Sequence, residues 1–92
     1  MAVSMPKDRP LYLGAGLTWN RDGAQLVVRG DRISRRISLG EKEHRCFALV
    51  LEENLSLQEL YDREGMTELE RQRLQWKLEV LYDGGCLDDT AK

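Results

Sequence analysis

The spacing of apolar and polar positions changes near residue 40. Before that point, Leu11 to Trp19 reads as β structure interrupted by Gly14 and Gly16, and Asn20-Arg21-Asp22-Gly23 predicts a turn. Ala24 to Arg29 is a valine-rich strand, Gly30-Asp31 a second turn, and Arg32 to Leu39 alternates with period two. A meander of three short antiparallel strands follows from this pattern. Beyond residue 40 the period becomes helical, with a serine or threonine followed three residues later by glutamate at Ser38/Glu41, Ser56/Glu59 and Thr67/Glu70. In such a capping box, hydroxyl and carboxylate satisfy the orphan backbone donors of a helix start. The predicted helices run over 41–53, 57–64 and 67–83, the last closed by Gly84-Gly85. The expected fold class is α+β: a three-stranded antiparallel meander followed by three α-helices. Residues 11–87 form one domain, with a flexible lead-in over 1–10, where Pro6 and Pro10 deny regular structure, and a tail over 88–92.

Helical spacing also predicts which faces turn inward. The first helix carries Cys46, Phe47, Val50 and Leu51 on one side, with Glu43, Glu52 and Glu53 read as solvated; the second offers Leu57, Leu60 and Tyr61. The third helix has two apolar stripes. Leu74, Leu78 and Leu81 form one, and Leu69, Trp76 and Val80 form another about 140° away, with Arg73 and Lys77 between them. Two accounts stand side by side: both stripes are core, or the second lines a groove flanked by Arg73 and Lys77.

Charge alters this picture. Residues 1–45 carry nine basic and five acidic side chains, and residues 46–92 carry five basic and eleven acidic, so the overall charge of -2 hides halves of +4 and -6. Nucleic-acid-binding domains draw most of their affinity from neutralised phosphates and are usually basic throughout, which argues against such a partner here. No apolar run approaches the ~18 residues of a membrane span, and the first ten residues lack the apolar core of a signal peptide. A cytoplasmic protein is expected. The cysteines, Cys46 and Cys86, lie far apart without metal-ligand spacing, and His44 is the single histidine. Reduced thiols are expected, with Cys46 a small core residue or, alternatively, disulfide-bonded to Cys86.

No paired-cysteine motif, phosphate-binding glycine loop or histidine pair is present, so neither enzymatic activity nor a cofactor is expected. His44 reads as a solvated or capping residue. The basic stretch over 29–39, RGDRISRRISL, places Ile33, Ile37 and Leu39 toward the core, with Arg35 snorkelling to the rim of that face, and Arg32, Ser34 and Arg36 outward. Such a strand is either an edge kept soluble by charge or an edge that accepts a peptide strand.

The order of strands and helices, Pro10 before the first strand, Asp22-Gly23 in the first turn and Leu39 opening the first helix resemble the PqqD-like precursor-peptide recognition elements. Leu11, Trp19, Leu26, Leu51, Leu57, Leu60, Leu74, Leu78, Leu81 and Cys86-Leu87 contribute to the same likeness, which runs from about Pro10 to Leu87. Those elements are small winged-helix-like domains that bind the leader of a ribosomally synthesised precursor peptide. The resemblance implies that a leader adds as a strand to the third strand and lies against the third helix. The peptide-binding residues would be Arg32, Ile33, Ser34, Arg35, Arg36, Ile37 and Ser38, facing Leu69, Arg73, Trp76, Lys77 and Val80. The implied partners are the leader peptide and a peptide-modifying enzyme, for instance one of the radical SAM class. Competing readings are a winged-helix DNA-binding protein and a structural adaptor subunit.

Overall fold

The change of period near residue 40 is the border between sheet and helices in the computed structural model, which describes residues 5–89. The elements are β1 (Tyr12–Leu13), β2 (Thr18–Asp22), β3 (Gln25–Arg29), β4 (Ser34–Ser38), α1 (Glu41–Glu52), α2 (Leu57–Glu64), α3 (Glu68–Asp83) and β5 (Leu87–Asp88). β2, β3 and β4 form the expected antiparallel three-stranded sheet, in that order, so the fold is α+β.

Three strand boundaries differ from expectation. The first expected strand divides, because Gly14 to Leu17 turn the chain between β1 and β2. β1 pairs with β5 in a separate two-stranded ribbon, Tyr12 opposite Asp88 and Leu13 opposite Leu87, and Gly14 N–H donates to Cys86 C=O at 2.9 Å. The turn expected over 20–23 is instead the end of β2: Asp22 pairs with Gln25, leaving Gly23-Ala24 as a two-residue hairpin loop. Gly23 has φ +61°, the conformation required at the first central position of a type II′ turn. Arg32 and Ile33 lie in the next turn, closed by Gly30 N–H to Ile33 C=O at 2.8 Å, and β4 starts at Ser34.

Some residues expected in the lead-in and tail contact the domain. Met5 is buried in the core, Gln58 N–H donates to Lys7 C=O, and Pro10 forms a bridge with Ser56. Residues 1–4 and 90–92 lie outside the described part. Asp88 belongs to the domain through its pairing with Tyr12.

Ser56 and Thr67 cap α2 and α3 as their spacing predicts, each hydroxyl accepting from the N–H three residues on and each Glu59 or Glu70 carboxylate returning to the cap N–H. The cap of α1 lies two residues later than expected, at Gly40. Glycine has no side chain to accept a bond, so only the reciprocal half forms, Gly40 N–H to Glu43 Oε1 at 2.8 Å. α3 ends in a Schellman motif: Cys86 N–H bonds Leu81 C=O at 2.8 Å and Gly85 N–H bonds Tyr82 C=O at 3.1 Å, with Gly85 at φ +82°. This reversal directs the chain into β5.

Cross-strand partners share a face, so Leu26, Val28, Ile37, Arg35 and Trp19 lie on one side of the sheet and Val27, Arg36, Asn20, Ser34 and Ser38 on the other. The first side meets the helices. Leu26 and Val28 join Phe47, Val50, Leu57, Leu60, Leu74, Leu78 and Leu81 in a single core, with Trp19 edge-on to Phe47 at 5.3 Å. Two α1 expectations fail. Glu43 and His44 are not solvated: Glu43 stands at helical spacing from Cys46, Phe47 and Val50, within the inward arc, and His44 is buried at its border. Cys46 and Cys86 are both buried and free, so they do not form a disulfide.

Leu74 is fully buried, whereas Leu69, on the same helix, is 56% exposed. Leu74→Ala is expected to lower unfolding free energy by about 2–5 kcal/mol, and Leu69→Ala by no more than about 0.5 kcal/mol. Urea denaturation of the two variants checks this contrast; similar losses would contradict the assignment of the two stripes.

Candidate binding groove

The third helix settles the choice between its two stripes. Leu74, Leu78 and Leu81 are in the core, but Leu69, Trp76 and Val80 are 56%, 65% and 50% exposed and are the large exposed apolar residues among those described. The second stripe is not core.

Two contacts relate the helix to β4 and to the start of α1. Near one end, the Nε of Arg35 lies 3.6 Å from where a Cβ on Gly84 would stand. At the other, Gly40, Glu41, Lys42 and Glu43 face Met66, Glu70, Arg73, Trp76 and Lys77 across a cleft of about 480 Å³. Increasing residue number from β4 into α1 therefore corresponds to decreasing number along α3, with Arg35 near the end of the helix and Trp76 across from the start of α1. Val80 falls between these two landmarks.

β4 is an edge strand, since β3 pairs with one side of it and no described strand with the other. The phase of the ladder identifies the open groups. Leu39 N–H donates to Ala24 C=O at 2.9 Å and Gly30 N–H to Ile33 C=O at 2.8 Å. In an antiparallel ladder every second residue bonds a given neighbour, so Arg35 and Ile37 also bond toward β3. Ser34, Arg36 and Ser38 consequently point their N–H and C=O groups toward the free edge.

The expected site residues thus separate by role. Ile33 and Ile37 are half-buried against the core, and Arg35 is exposed on the helix side of the sheet. The side chains of Ser34, Arg36 and Ser38 lie on the opposite face. There Arg36 is engaged with Asp22 at 3.2 Å and Gln25 at 3.1 Å, so at the groove it offers main-chain groups rather than a guanidinium. Arg32 sits in the turn before β4, exposed. Lys77 is not a free groove cation: its Nζ donates to Glu43 Oε1 at 2.7 Å.

Glu43 is the residue the sequence reading missed. Its Oε1 accepts from both Gly40 N–H and Lys77, tying the start of α1 to the middle of α3, while Oε2 is buried without a hydrogen-bond partner. Burial works against its charge, but the Gly40 N–H, the Lys77 ammonium and the nearby Arg73 outweigh it and hold the carboxyl below its ordinary value. The signal was present in its spacing from Phe47 and Val50. Around it, Glu41 pairs with Arg21 and Glu70 with Lys42. Arg32, Arg35 and Arg73 form no ion pair among the described residues.

Other chemistry has little to work with. Burial pushes the thiols of Cys46 and Cys86 up, disfavouring the nucleophilic thiolate. Among the described residues no three His, Cys, Asp or Glu side chains gather in a way that would hold a metal ion, and no helix is long and apolar enough to cross a membrane. No protein-family model matches the chain, and no match is found among curated proteins or solved structures.

Because the Glu43 pKa is depressed on folding, the stability it contributes is complete above its unfolded value of about 4.5 and is lost as pH falls through the folded value. Glu43→Gln is expected to cost about 1.5–3 kcal/mol at pH 7, the range for hydrogen bonds to a charged group. That deficit should shrink when unfolding is measured at pH 3. A deficit unchanged between the two pH values would show that the carboxylate charge contributes nothing.

Proposed function

We propose that this chain is a non-enzymatic peptide-binding module of the cytoplasm that captures the leader of a ribosomally synthesised precursor and presents it to a modifying enzyme. The observation that carries this reading is the presence, in one small domain, of an exposed apolar stripe on α3, made of Leu69, Trp76 and Val80, together with an open edge on β4. The likeness to PqqD-like recognition elements points to the same two features. Binding is by strand addition, with Ser34, Arg36 and Ser38 supplying main-chain hydrogen bonds.

Magnitudes assign the parts their work. A net gain of about 1 kcal/mol per hydrogen bond is largely offset by about 1–2 kcal/mol for ordering each peptide residue. The edge therefore fixes direction and register but supplies little affinity. Covering the apolar stripe supplies the rest, at about 1.5–3 kcal/mol for each fully buried large side chain. Trp76 dominates, since tryptophan is among the residues most enriched where interface energy concentrates.

The test is a fluorescence titration with the leader encoded beside this protein. Trp76 is mostly exposed while Trp19 is packed against Phe47, so a blue shift on binding would report Trp76 losing water. Trp76→Ala should weaken binding about thirtyfold, equivalent to about 2 kcal/mol. The amides of Ser34, Arg36 and Ser38 should become protected from hydrogen exchange in the complex. Absence of binding, indifference to Trp76→Ala, or steeply salt-dependent binding to random duplex DNA in place of peptide would overturn the proposal.

A further inference from the structure

The ladder phase and the charges left unpaired around the groove define what the added strand should look like. In an antiparallel pair, directly opposed residues share a face. A strand bonding to Ser34, Arg36 and Ser38 therefore turns the side chains opposite those residues away from α3. The side chains opposite Leu39, Ile37 and Arg35 turn toward α3.

Those three inward positions meet different surroundings. The one opposite Leu39 lies nearest the cleft that Trp76 and Arg73 line. The one opposite Ile37 lies beside half-buried Ile37. The one opposite Arg35 meets a guanidinium that makes no ion pair, near the C-terminal turn of α3. Glu41, Glu43 and Glu70 at the other end are each engaged with a cation. Arg35 is thus a cation without an ion pair on the helix-side face of β4, whereas α3 carries both Arg73 and Glu68, Glu79 and Asp83 without an ion pair among the described residues.

Resting on the strand-addition reading above, we propose that the groove selects an extended segment of pattern apolar, any, apolar, any, acidic, read from its N-terminus and added antiparallel to β4. The two apolar side chains cover Trp76 and Val80, and the acidic one pairs with Arg35. Antiparallel addition continues the arrangement of the existing sheet, in which both neighbouring pairs are antiparallel. It also fixes the order, because the segment passes Leu39 before Arg35.

The test uses three end-blocked twelve-residue synthetic peptides in identical Ser/Thr flanks, titrated by Trp76 emission. Their central five residues are Val-Thr-Leu-Thr-Glu, Val-Thr-Leu-Thr-Lys and the reversed Glu-Thr-Leu-Thr-Val. The first should bind about tenfold more tightly than either other, since a like charge opposite Arg35 costs affinity. The Arg35→Glu variant should reverse the preference between the first two. Equal affinities, an unreversed preference in that variant, or tighter binding of the reversed order would overturn the register proposal. If the peptides protect the Ser34, Arg36 and Ser38 amides without regard to order or charge, strand addition stands and only the selectivity fails. If neither these peptides nor the encoded leader bind, both readings fail.

Discussion

The rotation of α3 about its own axis is the constraint on which the rest depends. Leu74, Leu78 and Leu81 must face inward, because together they fill the space between the sheet and the other helices. Burying each is worth about 1.5–3 kcal/mol, more than any single exposed contact on the helix could return. Once that stripe is turned in, 100° per residue puts Leu69, Trp76 and Val80 outward with no freedom to hide them. The ends are fixed separately, by the Thr67 capping box and the Schellman turn at Gly84-Gly85. The helix is thus held at both ends and along one face, and its apolar opposite face is a consequence of packing that the described residues leave uncovered.

Charge pairing then determines what the uncovered face presents. The pairs Arg21–Glu41, Lys42–Glu70 and Arg36–Asp22 are substantially exposed, and each contributes little to stability. Their larger effect is to remove carboxylates from circulation. Lys77 with Glu43 is different, being 22% and 16% exposed, and Glu43 also holds the start of α1 through Gly40. Because Gly40 has no hydroxyl, the Glu43 carboxylate is the one side-chain partner the cap has. The same oxygen therefore caps α1 and anchors α3. With those acids engaged, Arg32, Arg35 and Arg73 remain without an ion pair among the described residues, as do Glu68, Glu79 and Asp83 on α3.

Much of this was legible in the sequence because its signals are local. Ser56/Glu59 and Thr67/Glu70 mark helix starts through bonds spanning three residues, and Gly84-Gly85 marks a stop because Gly85 takes a left-handed conformation that other residues adopt only at a cost. The two stripes of α3 followed from periodicity alone. What periodicity could not decide was which stripe had a partner, since that depends on where the sheet lies. The β1–β5 ribbon was not visible, for it joins two-residue segments at opposite ends of the chain and has no pattern long enough to detect. Glu43 was misread through its charge: its position in the inward arc was plain, but only the three-dimensional arrival of Lys77 makes a carboxylate acceptable there. Arg36 was assigned outward correctly, yet its partner Asp22 lies two strands away, beyond what alternation within β4 can reveal.

Edge protection and peptide capture make different demands on β4, and the side chains bear on both. A strand protected against aggregation is well served by Arg35 and Arg36 projecting from either face, and nothing more is needed. That account leaves Trp76 unexplained, because an exposed tryptophan adds to the hazard that edge charges are meant to reduce. The proposed strand addition uses both features. Arg36 lies on the far face, engaged with Asp22 and Gln25, where it does not obstruct an incoming chain on the helix side. Arg35 stands on the near face at one end of the groove, where it opposes an apolar strand from another copy of the sheet and favours one that brings a carboxylate. Under the proposed strand addition, the same guanidinium would guard the edge against indiscriminate pairing and select the segment that is admitted.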